Sequence, residues 1–232
     1  MRPRLALEAV FARLDAAYDY SGWHWQAGTP PDYVCLSALL VQHTSWANVE
    51  RALERLRAAG ALSLVTVLRL SEDELAELVR PAGTPRAKAR RLQTLARLAA
   101  DHGGLDRLLA LPSGQLRSLL LATYGIGPET ADAILLYAAG RPAFVHDAYA
   151  GRLFRRLCLG PEGSDSYATW QRWFEAALPP EVGAYRRYHG LIVLHGKSTC
   201  RPRPRCAGCC LLDVCPTGRE GAAITPALSE PL

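Results

Sequence analysis

Four cysteines near the C-terminus constrain this chain more than any other feature. Cys200, Cys206, Cys209 and Cys215 have the spacing C-x5-C-x2-C-x5-C, so that one loop could supply four thiolates to a single inorganic core. Thiolates bind both zinc and iron–sulfur clusters. Zinc ligands usually come as two C-x2-C pairs separated by a dozen or more residues. The compact spacing therefore favours an iron–sulfur cluster, with zinc as the alternative.

The other three cysteines are not expected to bind metal. Cys210 adjoins Cys209, and its use as a ligand would shorten the final spacing, so we interpret it as a bystander. Cys35 and Cys158 lie in apolar helical contexts and are predicted to be core residues. Five of the seven cysteines fall within residues 200–215, and in a reducing cytoplasm such a cluster indicates a metal site before disulfides.

Apolar residues recur at helical spacing along almost the whole chain, as in Leu36, Leu39 and Leu40. Strand-like alternation is hardly visible, so we predict an all-α protein of about ten helices. Ser71 to Glu74 form a capping box, which marks the start of one helix. A chain of 232 residues that is 49% hydrophobic can build one large domain or two small ones.

Residues 115–140 predict two helices joined by a tight turn with Gly125 and Gly127. Glycine permits backbone conformations that other residues resist, and Pro128 fits the first turn of the second helix. Outward-pointing N–H groups at such a hairpin can bind phosphate without regard to sequence. A plain turn between packed helices is the alternative. The candidate phosphate contacts are Gly125, Ile126, Gly127 and Thr130.

An aspartate, Asp147, follows an extended segment and begins the predicted helix from Ala148 to Leu157. The simple interpretation is a helix N-cap, a common place for aspartate. Catalysis is compatible with that role. A carboxylate here could stabilise the cationic sugar that forms as an N-glycosidic bond breaks, and could orient or deprotonate water.

Basic residues cluster in two stretches although the net charge of +5 is modest. One stretch runs from Arg80 to Arg91 and the other from Arg186 to Arg205. Each alone is typical of a solvated face, but together they indicate a surface that follows phosphates. The candidates within the cysteine loop are Arg201, Arg203 and Arg205.

The order of hairpin, aspartate and cysteine loop, over residues of about 20 to 216, resembles the endonuclease III superfamily of DNA glycosylases. The resemblance implies two helical domains with a DNA-binding cleft between them. A helical barrel with the helix–hairpin–helix would span 30–141, and a domain with the iron–sulfur loop would combine 1–29 with 142–216. Residues 217–232 would form a weakly ordered tail.

The resemblance also implies site residues. Asp147 would be catalytic, and Cys200, Cys206, Cys209 and Cys215 would bind a 4Fe-4S cluster. Gln42, in the segment Leu39 to Thr44, would contact DNA by filling the space that a flipped base leaves.

One position departs from the bifunctional members, which carry a lysine two residues after the second hairpin glycine. That lysine forms a Schiff base that leads to strand cleavage. Here the residue is Glu129, which cannot form one, so we expect a monofunctional enzyme that uses water. The sequence is most similar to the branch with 3-methyladenine-type glycosylases, although His24 interrupts that branch's pair of adjacent tryptophans.

We therefore expect a base excision repair enzyme that flips out a damaged base of double-stranded DNA, an alkylated purine or an oxidised pyrimidine, and hydrolyses its N-glycosidic bond. The alternatives are a bifunctional enzyme with AP lyase activity, a catalytically silent DNA-binding homologue and, less well supported, a small iron–sulfur electron carrier. No signal sequence or membrane span is expected, because no run approaches roughly 18 apolar residues. We expect a monomer in the cytoplasm, associated with the nucleoid when on DNA.

Overall fold

The computed structural model describes residues 3–224, and within that range all regular elements are helical, as predicted. The described chain has thirteen α-helices, where about ten were expected. In chain order they are α1 (Pro3–Ala17), α2 (Pro31–Leu40), α3 (Trp46–Ala58), α4 (Leu64–Val67), α5 (Glu72–Val79), α6 (Pro85–Asp101), α7 (Leu105–Leu109), α8 (Ser113–Ala122), α9 (Pro128–Ala133), α10 (Ala148–Arg156), α11 (Tyr167–Ala177), α12 (Val182–Ser198) and α13 (Pro216–Ile224).

Two compact units make up the chain. We call His24–Ala143 the hairpin unit, and Met1–Trp23 together with Phe144–Leu232, as far as these are described, the cysteine unit. The hairpin unit contains α2 to α9, and the cysteine unit contains α1 and α10 to α13.

Local sequence signals explain where several helices begin. The predicted capping box is present at α5: the Ser71 hydroxyl accepts a hydrogen bond from the Glu74 N–H at 3.2 Å, and the Glu74 carboxylate accepts one from the Ser71 N–H at 2.8 Å. Proline occupies the first position of α2, α6 and α9, where its missing N–H has no intrahelical partner to lose.

The core of the hairpin unit is built around α2, whose residues from Val34 to Leu40 are all buried. A helix that is apolar on every side must be surrounded by other elements. Lys88 of α6 is also buried, and its ammonium group donates hydrogen bonds to the carbonyl oxygens of Leu40, at 2.8 Å, and of Ala82. The lysine thereby satisfies one carbonyl group at the end of α2 and one between α5 and α6, and burial lowers its pKa to about 8.

The core of the cysteine unit is aromatic. The rings of Phe144 and Phe174 stack with centroids 4.1 Å apart, and Phe154 meets Phe174 edge-on at 5.0 Å. Tyr185 and Tyr188 of α12 are buried against the same cluster. Phe144 lies three residues before Asp147, so this cluster anchors the extended segment that leads to the aspartate.

One expectation about the cysteines needs correction. Cys35 is buried as predicted, but Cys158 is exposed, because α10 ends at Arg156 and Cys158 turns the chain with a φ of 53°. The first residues of the predicted tail, 217–224, continue α13, which begins at Pro216. Residues 225–232 of the predicted tail lie outside the described residues.

Within residues 3–224, none of the helices has both the length and the apolar character that a membrane crossing requires.

Candidate functional site

The predicted hairpin connects α8 to α9 through residues 123–127. Gly125 has a φ of 79°, a conformation that residues with a Cβ rarely adopt. The N–H groups of Gly125 and Gly127 donate no hydrogen bond to any described residue, whereas the Ile126 N–H bonds to the Thr123 carbonyl at 3.1 Å. Two N–H groups of the turn are therefore available to an anion.

Not every predicted hairpin contact is exposed. The Ile126 side chain is buried, so it anchors the turn in the hairpin unit. Thr130 is also buried, and its hydroxyl accepts a hydrogen bond from Gln42. Glu129 is exposed in the first turn of α9, where a carboxylate suits the positive end of the helix dipole.

Gln42 is bonded to the hairpin through the nitrogen of its amide and to α6 through the amide oxygen. Its Nε2 donates to the Gly125 carbonyl at 3.1 Å and to the Thr130 hydroxyl at 3.0 Å, and its Oε1 accepts from Arg91. The structure thus brings Gln42 together with two of the predicted phosphate contacts. It also adds Arg91 of α6, which the sequence placed only within a basic stretch.

Four aromatic rings form a cluster in the hairpin unit. His24 stacks on Trp46 with ring centroids 3.4 Å apart, and Trp25 contacts Tyr137 at 4.9 Å and Trp46 at 6.1 Å. The Trp25 indole N–H donates to the buried Ser37 hydroxyl at 2.9 Å. Tyr137 lies in a π-helical segment, Ile134–Ala138, that continues α9, and such segments are frequent at functional sites.

Asp147 caps α10, as the sequence predicts. Its Oδ1 accepts a hydrogen bond from the Ala150 N–H at 2.8 Å, and its Oδ2 lies 3.5 Å from Nε2 of His189 on α12. The two side chains are only 11% and 5% exposed. Burial by itself would raise the pKa of Asp147, but the contact with His189 and the hydrogen bond from the Ala150 N–H outweigh it and hold that pKa below the usual value.

His146, the neighbour of Asp147, is buried in an aromatic contact. Its ring stacks on Trp170 of α11 with centroids 4.8 Å apart and planes inclined by only 4°. Burial lowers its pKa to about 4, so the imidazole is neutral at pH 7. The Nδ1 atom has no hydrogen-bond partner among the described residues.

The four predicted metal-ligating cysteines line one pocket of the cysteine unit, together with apolar side chains that include Leu153, Leu157 and Leu211. Cys210 is not among the residues that line this pocket. As the side chains stand, no three His, Cys, Asp or Glu residues in the described range are arranged to hold a metal ion. The four cysteines nevertheless lie near one another, because all of them line the same pocket.

Hydrogen-bond donors surround these sulfur atoms. The N–H groups of Leu211 and Gly218 lie 3.4 Å from Cys209 Sγ and 3.3 Å from Cys215 Sγ, and Arg156 Nη1 lies 3.2 Å from Cys200 Sγ. Burial raises the pKa of the Cys209 and Cys215 thiols, and the two N–H groups oppose that effect. Donors aimed at sulfur suit thiolate ligands, so the donor set fits an anionic cluster.

Arginines of α10 and α1 hold the cysteine loop. Arg152 donates to the Cys200 carbonyl at 2.7 Å, and Arg156 donates to the carbonyls of Arg201 and Pro202 at 2.7 and 2.9 Å. Arg13 donates to the Asp213 carboxylate at 2.6 and 2.8 Å. The predicted phosphate contacts in this loop are all exposed: Arg201, Arg203 and Arg205.

Residues 36–180 match the family model described as "HhH-GPD superfamily base excision DNA repair protein", which is more than half of the chain. The chain belongs to the HhH-GPD superfamily. A provisionally named DNA repair glycosylase of Methanocaldococcus jannaschii is 40% identical to it over 201 residues, which cover 85% of this chain and 90% of the relative.

Two solved structures resemble this HhH-GPD protein. A 3-methyladenine DNA glycosylase of H. pylori, MagIII, bound to 1,N6-ethenoadenine, superimposes with a TM-score of 0.71 at 27% identity, covering 85% of this chain and 98% of that one. An endonuclease III–DNA complex gives a TM-score of 0.80 at 21% identity over 96% and 100% of the two chains, and this likeness shows a shared fold.

In each unit of this HhH-GPD protein, sequence reasoning missed one residue that contacts a predicted site residue. His189 contacts Asp147 across 42 positions, and Arg91 contacts Gln42 across 49. His189 lies within a buried stretch of α12, and no neighbouring residue marks it as part of a site. Arg91 lies in a basic stretch that does not distinguish it from Arg90.

Proposed function

We propose that this protein is a monofunctional DNA glycosylase that hydrolyses the N-glycosidic bond of a damaged base and leaves an abasic site. Double-stranded DNA is its partner, and it acts as a monomer. The observation that carries the proposal is Asp147, a nearly buried carboxylate whose neighbours keep its pKa low.

A low pKa determines what Asp147 can do. The carboxylate is ionised at neutral pH, and proton abstraction is most efficient when the pKa lies near the working pH. Asp147 is therefore a weak base, but its carboxylate carries a negative charge at neutral pH. Such a charge in a poorly hydrated place stabilises the cationic sugar that develops as the base departs, and it can orient the attacking water.

Glu129 differs in its chemistry from the lysine that strand cleavage requires. A carboxylate at the position of the lyase lysine cannot attack the sugar to form a Schiff base. Glu129 is exposed and lies in the first turn of α9. We infer that strand cleavage is not part of the reaction, and the bifunctional AP lyase remains the alternative.

Alkylated purines are the favoured substrate class, ahead of oxidised pyrimidines. A purine nucleotide alkylated at N3 or N7 already carries positive charge and its base departs easily, so one carboxylate and a stacking surface suffice. Within the aromatic cluster Trp25 and Tyr137 are buried, and the stacked rings of His24 and Trp46 are partly exposed, so these two rings could offer such a surface. The likeness to MagIII, which was solved with 1,N6-ethenoadenine, supports this choice.

The cysteine pocket would hold a 4Fe-4S cluster through Cys200, Cys206, Cys209 and Cys215. When bound, such a cluster supplies a rigid cross-link between its thiolate ligands. Arg152, Arg156 and the N–H groups of Leu211 and Gly218 then orient and stabilise those thiolates. The loop presents exposed Arg201, Arg203 and Arg205 to DNA phosphates.

The cluster is tested by metal content. Iron and sulfide assays are expected to give about four of each per chain. The variant Cys209→Ser should lose iron, and Cys210→Ser should keep it. Zinc in place of iron, or iron loss in Cys210→Ser alone, would contradict this ligand assignment.

The activity is tested with labelled duplexes that contain 1,N6-ethenoadenine, 3-methyladenine or thymine glycol. We expect strand breaks only after alkali treatment, with the purines excised faster, and no covalent adduct on borohydride reduction. An adduct from the wild-type protein would restore the lyase alternative. Tight binding without excision of any lesion would favour the silent DNA-binding homologue.

A further inference from the structure

The amide of Gln42 uses each of its polar atoms within the hairpin unit. Nε2 has two hydrogens, and these point to the Gly125 carbonyl and the Thr130 hydroxyl, while Oε1 faces the Arg91 guanidinium. This pattern fixes which end of the amide faces which partner. Gln42 thus joins the turn, α9 and α6.

Arg91 makes a second contact that depends on glycine. Its side-chain stem passes directly over Gly125, where a Cβ would lie 2.3 Å from Cγ and 2.6 Å from Cδ of Arg91. Glycine at 125 therefore meets two requirements: the left-handed conformation and the close passage of the arginine. The stem covers the turn, and the guanidinium holds the glutamine that bonds to the same turn.

We propose that Arg91 and Gln42 act together as positioning residues that fix the hairpin backbone for binding DNA phosphate. We call the pair the Arg91–Gln42 lock. This inference rests on the proposed DNA-binding function. It gives Gln42 a role before any base is flipped, because the hydrogen bonds exist in the protein alone.

The physical basis is preorganisation. The N–H groups of Gly125 and Gly127 can bind phosphate only when the turn holds them in one arrangement. A turn that must be ordered during binding loses part of the binding free energy to conformational entropy. Disrupting the lock should therefore weaken binding to undamaged and damaged duplexes alike.

Geometry and charge are separated by the variant Arg91→Lys. Lysine keeps the positive charge but lacks the planar guanidinium group, which reaches Gln42 from above Gly125 in the wild type. If Arg91 acted only by attracting phosphate, this variant would behave like the wild type. If it acts through the lock, the variant should lose affinity while the dependence of Kd on salt concentration keeps its slope.

Binding is measured by fluorescence anisotropy with two duplexes, one undamaged and one with a tetrahydrofuran abasic analogue. We expect Arg91→Lys and Gln42→Ala each to weaken binding to both duplexes by about tenfold. The double variant should bind DNA at most about twofold less tightly than whichever single variant binds less tightly, because both changes disrupt the same set of contacts. Arg97→Lys, an exposed arginine on the same helix, is the matched control and should stay within about twofold.

Hydrogen exchange of the DNA-free protein provides an independent readout. The peptide that covers residues 123–131 should exchange faster in Arg91→Lys and Gln42→Ala than in the wild type, and a peptide from α12 should not change. Unchanged exchange in the hairpin would overturn the proposal.

Two binding results would also overturn it. One is a double variant whose fold loss of DNA affinity equals the product of the fold losses of the two single variants. The other is a Gln42→Ala variant that weakens only the abasic duplex while Arg91→Lys weakens neither. Neither measurement needs base excision, so an absence of excision would refute the glycosylase activity and leave the lock to be judged separately.

Discussion

Asp147 has two structural roles that different substitutions can separate. Its carboxylate accepts the Ala150 N–H at 2.8 Å as an N-cap and lies 3.5 Å from His189. Asparagine keeps an oxygen that can cap a helix, and alanine does not. If Asp147 is only a cap, Asp147→Asn should be close to the wild type in both stability and activity.

The expected magnitudes follow from these contacts. Asp147→Ala loses the cap, which costs about 0.5 to 2 kcal/mol, and also the acceptor for His189. For a chain of this size each kcal/mol lowers Tm by about 2 to 4 °C, so loss of the cap alone should lower Tm by about 1 to 8 °C, and loss of the His189 contact should add to that decrease. Asp147→Asn should lose less than about 1 kcal/mol of stability. Excision should nevertheless fall by about 100- to 10,000-fold in both variants.

Single-turnover excision from an ethenoadenine duplex and thermal unfolding by circular dichroism measure the two quantities. Ser166→Ala is the matched control, because Ser166 caps α11 through the Thr169 N–H at 3.2 Å. This variant should lose the stability that its N-cap provides, while its excision rate stays at the wild-type value. Excision by Asp147→Asn within tenfold of the wild-type rate would refute the catalytic role of the carboxylate.

Three further predictions follow from other contacts. Asp132 is fully buried in a two-point ion pair with Arg117 at 2.7 and 3.0 Å, so Asp132→Asn should lower the free energy of unfolding by about 2 to 4 kcal/mol in urea titrations. Asp73→Asn, which breaks an exposed pair, should change it by less than about 0.5 kcal/mol, and equal losses would contradict the burial argument. The pKa of His146 is lowered to about 4, so between pH 6.5 and 4 the unfolded chain binds a proton that the folded protein does not, and the free energy of unfolding should fall as the pH decreases through this range. His146→Phe, which keeps a stacked ring, should weaken this pH dependence. An unchanged pH profile in that variant would show that His146 does not cause the dependence. Arg203→Gln should reduce the slope of log Kd against log salt concentration by about one on every duplex, and an unchanged slope would remove Arg203 from the phosphate contacts.

Local signals in the sequence predicted much of this fold. The capping box at Ser71, the turn at Gly125 and the N-cap at Asp147 each depend on a few adjacent residues, and each is present in the structure. Cys35 is buried as its apolar surroundings predict. Cys158 has similar neighbours but lies just past the end of α10, where the chain turns with a positive φ and the side chain is exposed.

The remaining parts of the site depend on contacts between distant segments. Gln42 could be assigned to DNA by resemblance, but its hydrogen bonds to residues 83 and 88 positions away could not be predicted. His189 approaches Asp147 because α10 and α12 pack in one unit, and no sequence pattern specifies that pairing. Side-chain networks of this kind require the tertiary structure.

The helix α10 connects two features that would otherwise be independent. Asp147 stands at its first turn, and Arg152 and Arg156, farther along the same nine-residue helix, hold the cysteine loop. A helix of this length spans about 13 Å and moves as a rigid body. A truncated protein that ends before Cys200 would therefore lose more than a cofactor site, because Arg156 and Arg152 would lose their acceptors in the loop. We expect such a truncation to destabilise the same helix that Asp147 caps.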